Sequence, residues 1–179
     1  MNLLAFAASS SKKSINKQLV TYAASLVETS NGGKANVEVL DLNDYELPLF
    51  SEDKEAEIGQ PALAKQFFDK ITGSDAIMIS FAEHNGSYSA AYKNLFDWAS
   101  RINSKVFQNK PLVMLATSPG PGGGSNVLVA AVNSAPHFNG DLKASLSIPS
   151  FYDNFDMELG QIKTEELKNQ LEATVKSLN

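Results

Sequence analysis

Apolar positions along the 179-residue chain alternate between two rhythms: short continuous runs, and longer stretches in which they recur at helical spacing. Leu3-Leu4-Ala5-Phe6-Ala7-Ala8 predicts a buried first strand over about residues 2 to 8. Ile15, Leu19, Tyr22, Ala23, Leu26 and Val27 then share one face of a helix that stops near Asn31-Gly32-Gly33. Val37-Glu38-Val39-Leu40 reads as a second strand. From Asp41 to Gly59 the chain turns polar and reads as a loop too long for a simple connection. Its apolar patch, Leu47-Pro48-Leu49-Phe50, suits a segment that covers a site or meets a partner.

The same alternation continues. Pro61 suits the first turn of a helix with Leu63, Phe67, Phe68 and Ile71 on its apolar face. Asp75 to Phe81 is a third strand, and a helix from about Ser89 carries Ala91, Leu95, Trp98, Ala99 and Ile102 on one stripe. Pro111 to Thr117, a helix beginning near Ser125, and Leu142 to Ile148 follow. A last helix from about Thr164 places Leu167, Leu171, Val175 and Leu178 at helical spacing. Five strands and five helices in strict alternation predict an α/β fold with right-handed crossovers and a parallel sheet covered by helices on both faces. Fold precedent supplies the flavodoxin-like strand order 2-1-3-4-5 for this three-layer sandwich. No repeat, low-complexity tract or linker divides the chain, so residues 1–179 read as one domain.

That order makes neighbours of the carboxyl ends of strands 1, 3 and 4, where an open α/β sheet receives its ligand. All three ends run into small polar residues or glycine: Ala8 to Asn16, Ala82 to Ser87, and Ser118 to Gly124. In the first loop, hydroxyls of Ser9, Ser11 and Ser14 and the amides opening the first helix suit a phosphate. Equally, Ser14 reads as a helix cap and the other serines as a solvated turn. The second loop offers amides and Asn85 to the edge of a planar heterocycle, or is a polar turn that caps the third helix through Ser87 or Ser89. In the third, glycines at 120, 122, 123 and 124 permit close backbone approach, or simply a flexible turn.

Composition narrows the chemistry. The chain has no cysteine, which excludes thiol catalysis, disulfides and cysteine-ligated metal centres and is compatible with a reducing cytoplasm. His84 and His137 are too few for a histidine-rich metal site. A net charge of −5 without a lysine or arginine run argues against nucleic acid and against an anionic membrane surface. The first apolar run lacks the cationic start of a signal peptide and the length of a membrane span. A P-loop is disfavoured by the glycine spacing, and a dinucleotide fold by the missing glycine fingerprint; Asp41 reads instead as a loop-starting or capping residue. A phospho-receiver needs acids at the ends of strands 1 and 3, where Ala8-Ser9 and Phe81-Ala82 stand.

These motifs carry a resemblance. Ala8 to Asn16 resembles the phosphate loop of the NADPH-dependent FMN reductase family, and Ser118-Pro119-Gly120 with Gly122-Gly123 resembles its glycine loop. Glu83-His84-Asn85-Gly86-Ser87 with Lys93-Asn94-Leu95-Phe96-Asp97-Trp98 resembles its flavin-ring motif, and Val39 to Phe50 its second strand and following loop. The resemblance implies noncovalent FMN, reduction by NADPH or NADH, and passage of electrons to a small-molecule acceptor: a quinone, azo dye, free flavin or oxidised metal. By motif position, Ser9, Ser11, Ser14, Ile15 and Asn16 would hold phosphate. Ala82, Glu83, His84, Asn85, Gly86 and Ser87 would meet the ring, and Ser118, Pro119, Gly120 and Gly123 would line its other side. No side chain is assigned a catalytic role. The family also implies a homodimer or homotetramer, with the Leu47 to Phe50 patch near a subunit boundary.

Two departures from the family pattern stand out: Ser11 replaces a common arginine, so that either Lys12 or Lys13 compensates or NADPH and phosphate recognition is weakened, and Ala82 and His84 replace a proline and a tyrosine. The alternative functions are an FMN-binding electron carrier or redox-responsive module without NAD(P)H turnover, and a structural domain that binds only a small anion.

Overall fold

Strand β1 (Asn2–Ala8) shows how the layers arise, because its side chains divide between two cores by simple alternation. Leu4, Phe6 and Ala8 enter one hydrophobic cluster, and Leu3, Ala5 and Ala7 enter the other, all less than 5% exposed. The computed structural model describes residues 1–30 and 32–178. Helix α1 (Ile15–Ser30) follows β1 and leads to β2 (Asn36–Leu40); Asn31, expected in the helix stop, lies outside the described residues. A 3-10 turn (Leu42–Tyr45) and α2 (Glu52–Ile58) come next, then α3 (Ala62–Gly73) and β3 (Ala76–Phe81). A hairpin of β4 (Glu83–His84) and β5 (Ser87–Tyr88) precedes α4 (Ala90–Ile102). The order continues with β6 (Pro111–Thr117), α5 (Ser125–Ser134), a 3-10 turn (Ala135–Phe138) and β7 (Asp141–Ile148). It ends with α6 (Phe151–Asn154), a hairpin of β8 (Phe155–Asp156) and β9 (Gln161–Ile162), and α7 (Glu165–Lys176).

The main sheet has the order β2-β1-β3-β6-β7, with every pairing parallel. Counting only its own five strands, this is the expected flavodoxin-like 2-1-3-4-5. Helices α3, α4 and α5 cover one face around Phe67, Leu95 and Val127, while α1 and α7 cover the other around Leu19, Val27 and Val175. Register decides where the loops emerge. Ala8 pairs with Phe81, and Phe81 with Ala116, so the three strands run out side by side. Among the described residues, no helix is long and apolar enough to cross a membrane.

Strict alternation of five strands and five helices needs three corrections. The stretch from Asp41 to Gly59 is not a plain loop, since it holds a 3-10 turn and α2. Helix α2 buries no residue and so leaves no apolar period; its signal is Ser51, which accepts from the Lys54 N–H, followed by Glu52, Asp53 and Glu55 in the first turn. The second loop is a hairpin turning through Asn85 at φ 52° and Gly86 at φ 75°, the Asn-Gly pair that such two-residue turns favour. The third correction is the structure between β7 and α7, a short helix and a hairpin that the sequence reading passed over.

Candidate functional site

The first loop delivers α1 to the sheet with its amino end pointing at the strand termini. Ser14 caps it: the Ser14 hydroxyl oxygen accepts from the Lys17 N–H at 3.2 Å. Asn16, 2% exposed, anchors this end. Its Oδ1 accepts from the Thr117 N–H at 3.1 Å and from the Ser80 hydroxyl at 2.7 Å, and its Nδ2 donates to the Thr117 carbonyl at 3.1 Å. The Asn16 side chain therefore joins α1 to β3 and β6. The backbone N–H groups of Ile15 and Asn16 have no partner among the described residues, as befits the first turn of a helix. Ser9 Oγ accepts from the Ser11 N–H at 3.2 Å, which leaves its hydroxyl proton to donate.

The second loop is held from both ends. Ser89 caps α4 by accepting from the Tyr92 N–H at 3.3 Å, and its hydroxyl donates to the Ala8 carbonyl at 2.8 Å, tying the end of β1 to the start of α4. The capping reading thus holds for Ser89, while Ser87 is exposed. Glu83 turns away from solvent toward α5, where its Oε2 accepts from the Val127 N–H at 3.0 Å and its Oε1 from Asn126 Nδ2 at 3.3 Å. Ala82 is buried, whereas His84, Asn85 and Gly86 are exposed along the hairpin.

In the third loop the glycines answer mainly to the protein. A Cβ on Gly123, whose φ is +59°, would lie 2.3 Å from Ser147 Oγ; on Gly124, at φ +75°, it would lie 3.2 Å from the Ala116 Cβ. Gly120 and Gly122 have no atom within 4 Å of such a Cβ, so only Gly123 and Gly124 of the four glycines named for this loop are required by packing within the protein. The Gly120 carbonyl also accepts from the Ser118 hydroxyl at 3.3 Å and from the Ser150 N–H at 2.9 Å.

The three loops meet around a cleft of about 240 Å³ at the carboxyl ends of β1, β3 and β6. Of the expected residues, Ser9, Ser11, Ser14, Ile15, Asn16, Ala82, Glu83, His84, Ser118 and Pro119 line it. Asn85, Gly86, Ser87, Gly120 and Gly123 do not. Lys13 lines the cleft and Lys12 does not, which separates the two lysines. Thr117 and Tyr152 were not expected there. Thr117 ends an all-apolar strand, and Tyr152 follows the end of β7, a fourth strand terminus at the same edge that invites the same scrutiny as the other three. A larger cleft, about 310 Å³, opens at the opposite edge around Asn2, Glu38 and Lys70, so size does not single out the site. What does is the gathering of helix amides and hydroxyls. Beside it, Lys17 pairs with Asp41 at 2.5 Å, and hydrogen bonds from Lys17 and the Asn43 N–H hold the Asp41 carboxyl down at about 2. Asp41 caps the 3-10 turn, as a loop-starting residue should.

The Leu47 to Phe50 patch is fastened to α4. Asn94 Nδ2 donates to the Leu47 and Pro48 carbonyls, Asn94 Oδ1 accepts from the Phe50 N–H, and Trp98 Nε1 donates to the Pro48 carbonyl at 2.8 Å. Within the Lys93 to Trp98 motif, then, Asn94 and Trp98 hold a loop, and Leu95 and Phe96 enter the core. Leu49 stays 81% exposed.

Comparison with known proteins adds to this geometry. The family model for NADPH-dependent FMN reductase matches residues 1–145. An NADPH:quinone oxidoreductase of Arabidopsis thaliana is 30% identical over 181 residues, covering 99% of this chain and 90% of that protein. A quinone reductase of Pseudomonas putida is 33% identical over 114 residues, covering 63% of this chain and 58% of that protein. Among solved structures, FerB, a flavoenzyme NAD(P)H:(acceptor) oxidoreductase from Paracoccus denitrificans, shares the fold with a TM-score of 0.74 at 23% identity, covering 99% of this chain and 94% of that one. With most of its length matched by the family model and nearly all of it aligned to the plant oxidoreductase, the chain belongs to the NADPH-dependent FMN reductase family.

Proposed function

We propose that this protein holds FMN noncovalently in the cleft at the ends of β1, β3 and β6 and uses it to carry electrons from NADPH or NADH to a small quinone-type acceptor. One observation carries the reading: amides of Ile15 and Asn16 that have no partner among the described residues, serine hydroxyls and the small side chain of Ala82 share one cleft. That donor set suits the phosphate end of a flavin nucleotide, and the uncrowded wall at Ala82 suits a planar ring. Ser9, Ser11 and the amides of Ile15 and Asn16 would hold the phosphate, with Ala82, His84, Ser118 and Pro119 near the ring. Bound there, FMN supplies a centre that accepts hydride from the nicotinamide and yields electrons to the acceptor. The protein's part is position and electrostatics: helix α1 presents its positive end, and Glu83, held by α5, brings no free carboxylate to the anion. The cysteine-free composition suits a cytoplasmic setting, and exposed Leu49 suits contact between copies in a homodimer or homotetramer.

The test is a visible spectrum of the purified protein before and after adding FMN, followed by anaerobic mixing with NADPH and then a benzoquinone. Yellow protein that bleaches with NADPH and recovers with quinone is the expected result. Protein that stays colourless and inactive with FMN present would overturn the reading, and yellow protein that never bleaches would make it an electron carrier.

A further inference from the structure

Two donor side chains on the cleft have no hydrogen-bond or ion-pair partner among the described residues. Tyr152 lies beyond residue 145, where the family match ends. Its backbone is well fixed: the Ser150 N–H donates to the Gly120 carbonyl at 2.9 Å, the Phe151 N–H to the Ser118 carbonyl at 3.0 Å, and Lys163 Nζ to the Tyr152 carbonyl at 3.0 Å. Phe151, fully buried, packs in the cluster that contains α1, which puts this turn on the α1 side of the sheet. The Tyr152 side chain is exposed, and its hydroxyl has no hydrogen-bond partner among the described residues. Lys13, also on the cleft, has no carboxylate partner among the described residues, whereas Lys17 one turn on is neutralised by Asp41.

We infer that Lys13 and Tyr152 together grip the phosphate of the bound flavin nucleotide, and so select FMN over unphosphorylated riboflavin. The inference rests on the flavin reading above. A phosphate dianion takes several donors at once, and the first turn of α1 supplies two amides that the loop serines only partly supplement. An ammonium and a phenol on the same cleft, each without an acceptor among the described residues, complete that set. Among the described residues that line the cleft, the carboxylate is that of Glu83, which accepts from the Val127 N–H of α5 and is thereby turned toward that helix.

The experiment titrates apoprotein with FMN and, separately, with riboflavin, following flavin fluorescence. Lys13→Ala is expected to raise the Kd for FMN about tenfold and Tyr152→Phe about fivefold, the scale of single charge-assisted hydrogen bonds, with riboflavin affinity unchanged. Added sodium chloride should narrow the FMN preference of the parent protein more than that of Lys13→Ala. Both side chains are exposed, so neither variant threatens folding. Equal weakening of both ligands, or of neither, would overturn the inference while leaving the flavin reading intact. A parent protein that binds neither flavin would overturn both.

Discussion

Helices α1 and α5 begin at the same edge of the same sheet, yet their amino ends are finished differently. Helix α5 starts from Gly124 in a left-handed conformation without a side-chain cap, and the chain supplies an anion from elsewhere: Glu83 reaches over from β4 to the Val127 N–H. Helix α1 has its own cap in Ser14 but no internal anion, and the N–H groups of Ile15 and Asn16 are left unpartnered among the described residues. The peptide dipoles of both helices favour negative charge at this end. In α5 the protein satisfies that preference itself; in α1 it leaves the position to a ligand. The Glu83 side chain, in a motif expected to meet a flavin ring, joins the second loop to the third. It fixes the cleft wall by holding the hairpin against α5.

The contrast can be probed by substitution. Asn16→Ala would free the amino end of α1 and strand the Thr117 N–H and the Ser80 hydroxyl without their buried partner. Urea denaturation of the apoprotein should show a loss of about 3 kcal/mol; a loss seen only with FMN bound would assign Asn16 to the ligand instead. Gly123→Ala forces a side chain into the left-handed region and against Ser147, and should cost about 2 kcal/mol in the same assay. Gly120→Ala, with open space around it, should leave apoprotein stability unchanged, so any effect it has on FMN affinity reports contact with the ligand.

Glu83→Gln keeps an acceptor for the Val127 N–H but removes the charge, and should lower the unfolding free energy by about 1 kcal/mol at low salt and by less at high salt. An unchanged melting curve would mean that α5 needs no anion. The smallest effect concerns the cation in the first turn of α1. Lys17 opposes the helix dipole, and Asp41 offsets it. Because folding lowers the Asp41 carboxyl from the ordinary 3.8 to about 2, its contribution is complete above about pH 4 and is lost as the pH falls toward 2. Asp41→Asn should remove that part of the acid-denaturation curve, modestly, since both partners are partly exposed.

Much of the architecture could be read from the chain because burial leaves a periodic mark. The three central strands β1, β3 and β6 are near-continuous apolar runs, the edge strands β2 and β7 mix apolar with polar positions, and Pro61, Ser89, Ser125 and Thr164 fall at or beside the helix starts. Where burial was slight the pattern was silent: α2 buries nothing, and only its Ser51 cap and acidic first turn betray it. The hairpin at 83–88 carried its Asn-Gly mark in plain view, but the mark identifies a turn and says nothing of which carboxylate is engaged behind it.

Sequence alone determined the alternating α/β order and the three polar loops, because hydrophobic period and loop composition are local properties; fold precedent added the edge of the sheet, and the family resemblance ten of the residues that line the cleft. Tertiary structure alone decided that the Asn16 side chain bonds to β3 and β6, that the Glu83 side chain reaches α5, that Gly123 is required by Ser147, and that Tyr152 lines the cleft. Each of those assignments depends on a contact between residues far apart along the chain. A side chain's partner is set by which surfaces the sheet register brings together, and that information exists only once the strands are paired.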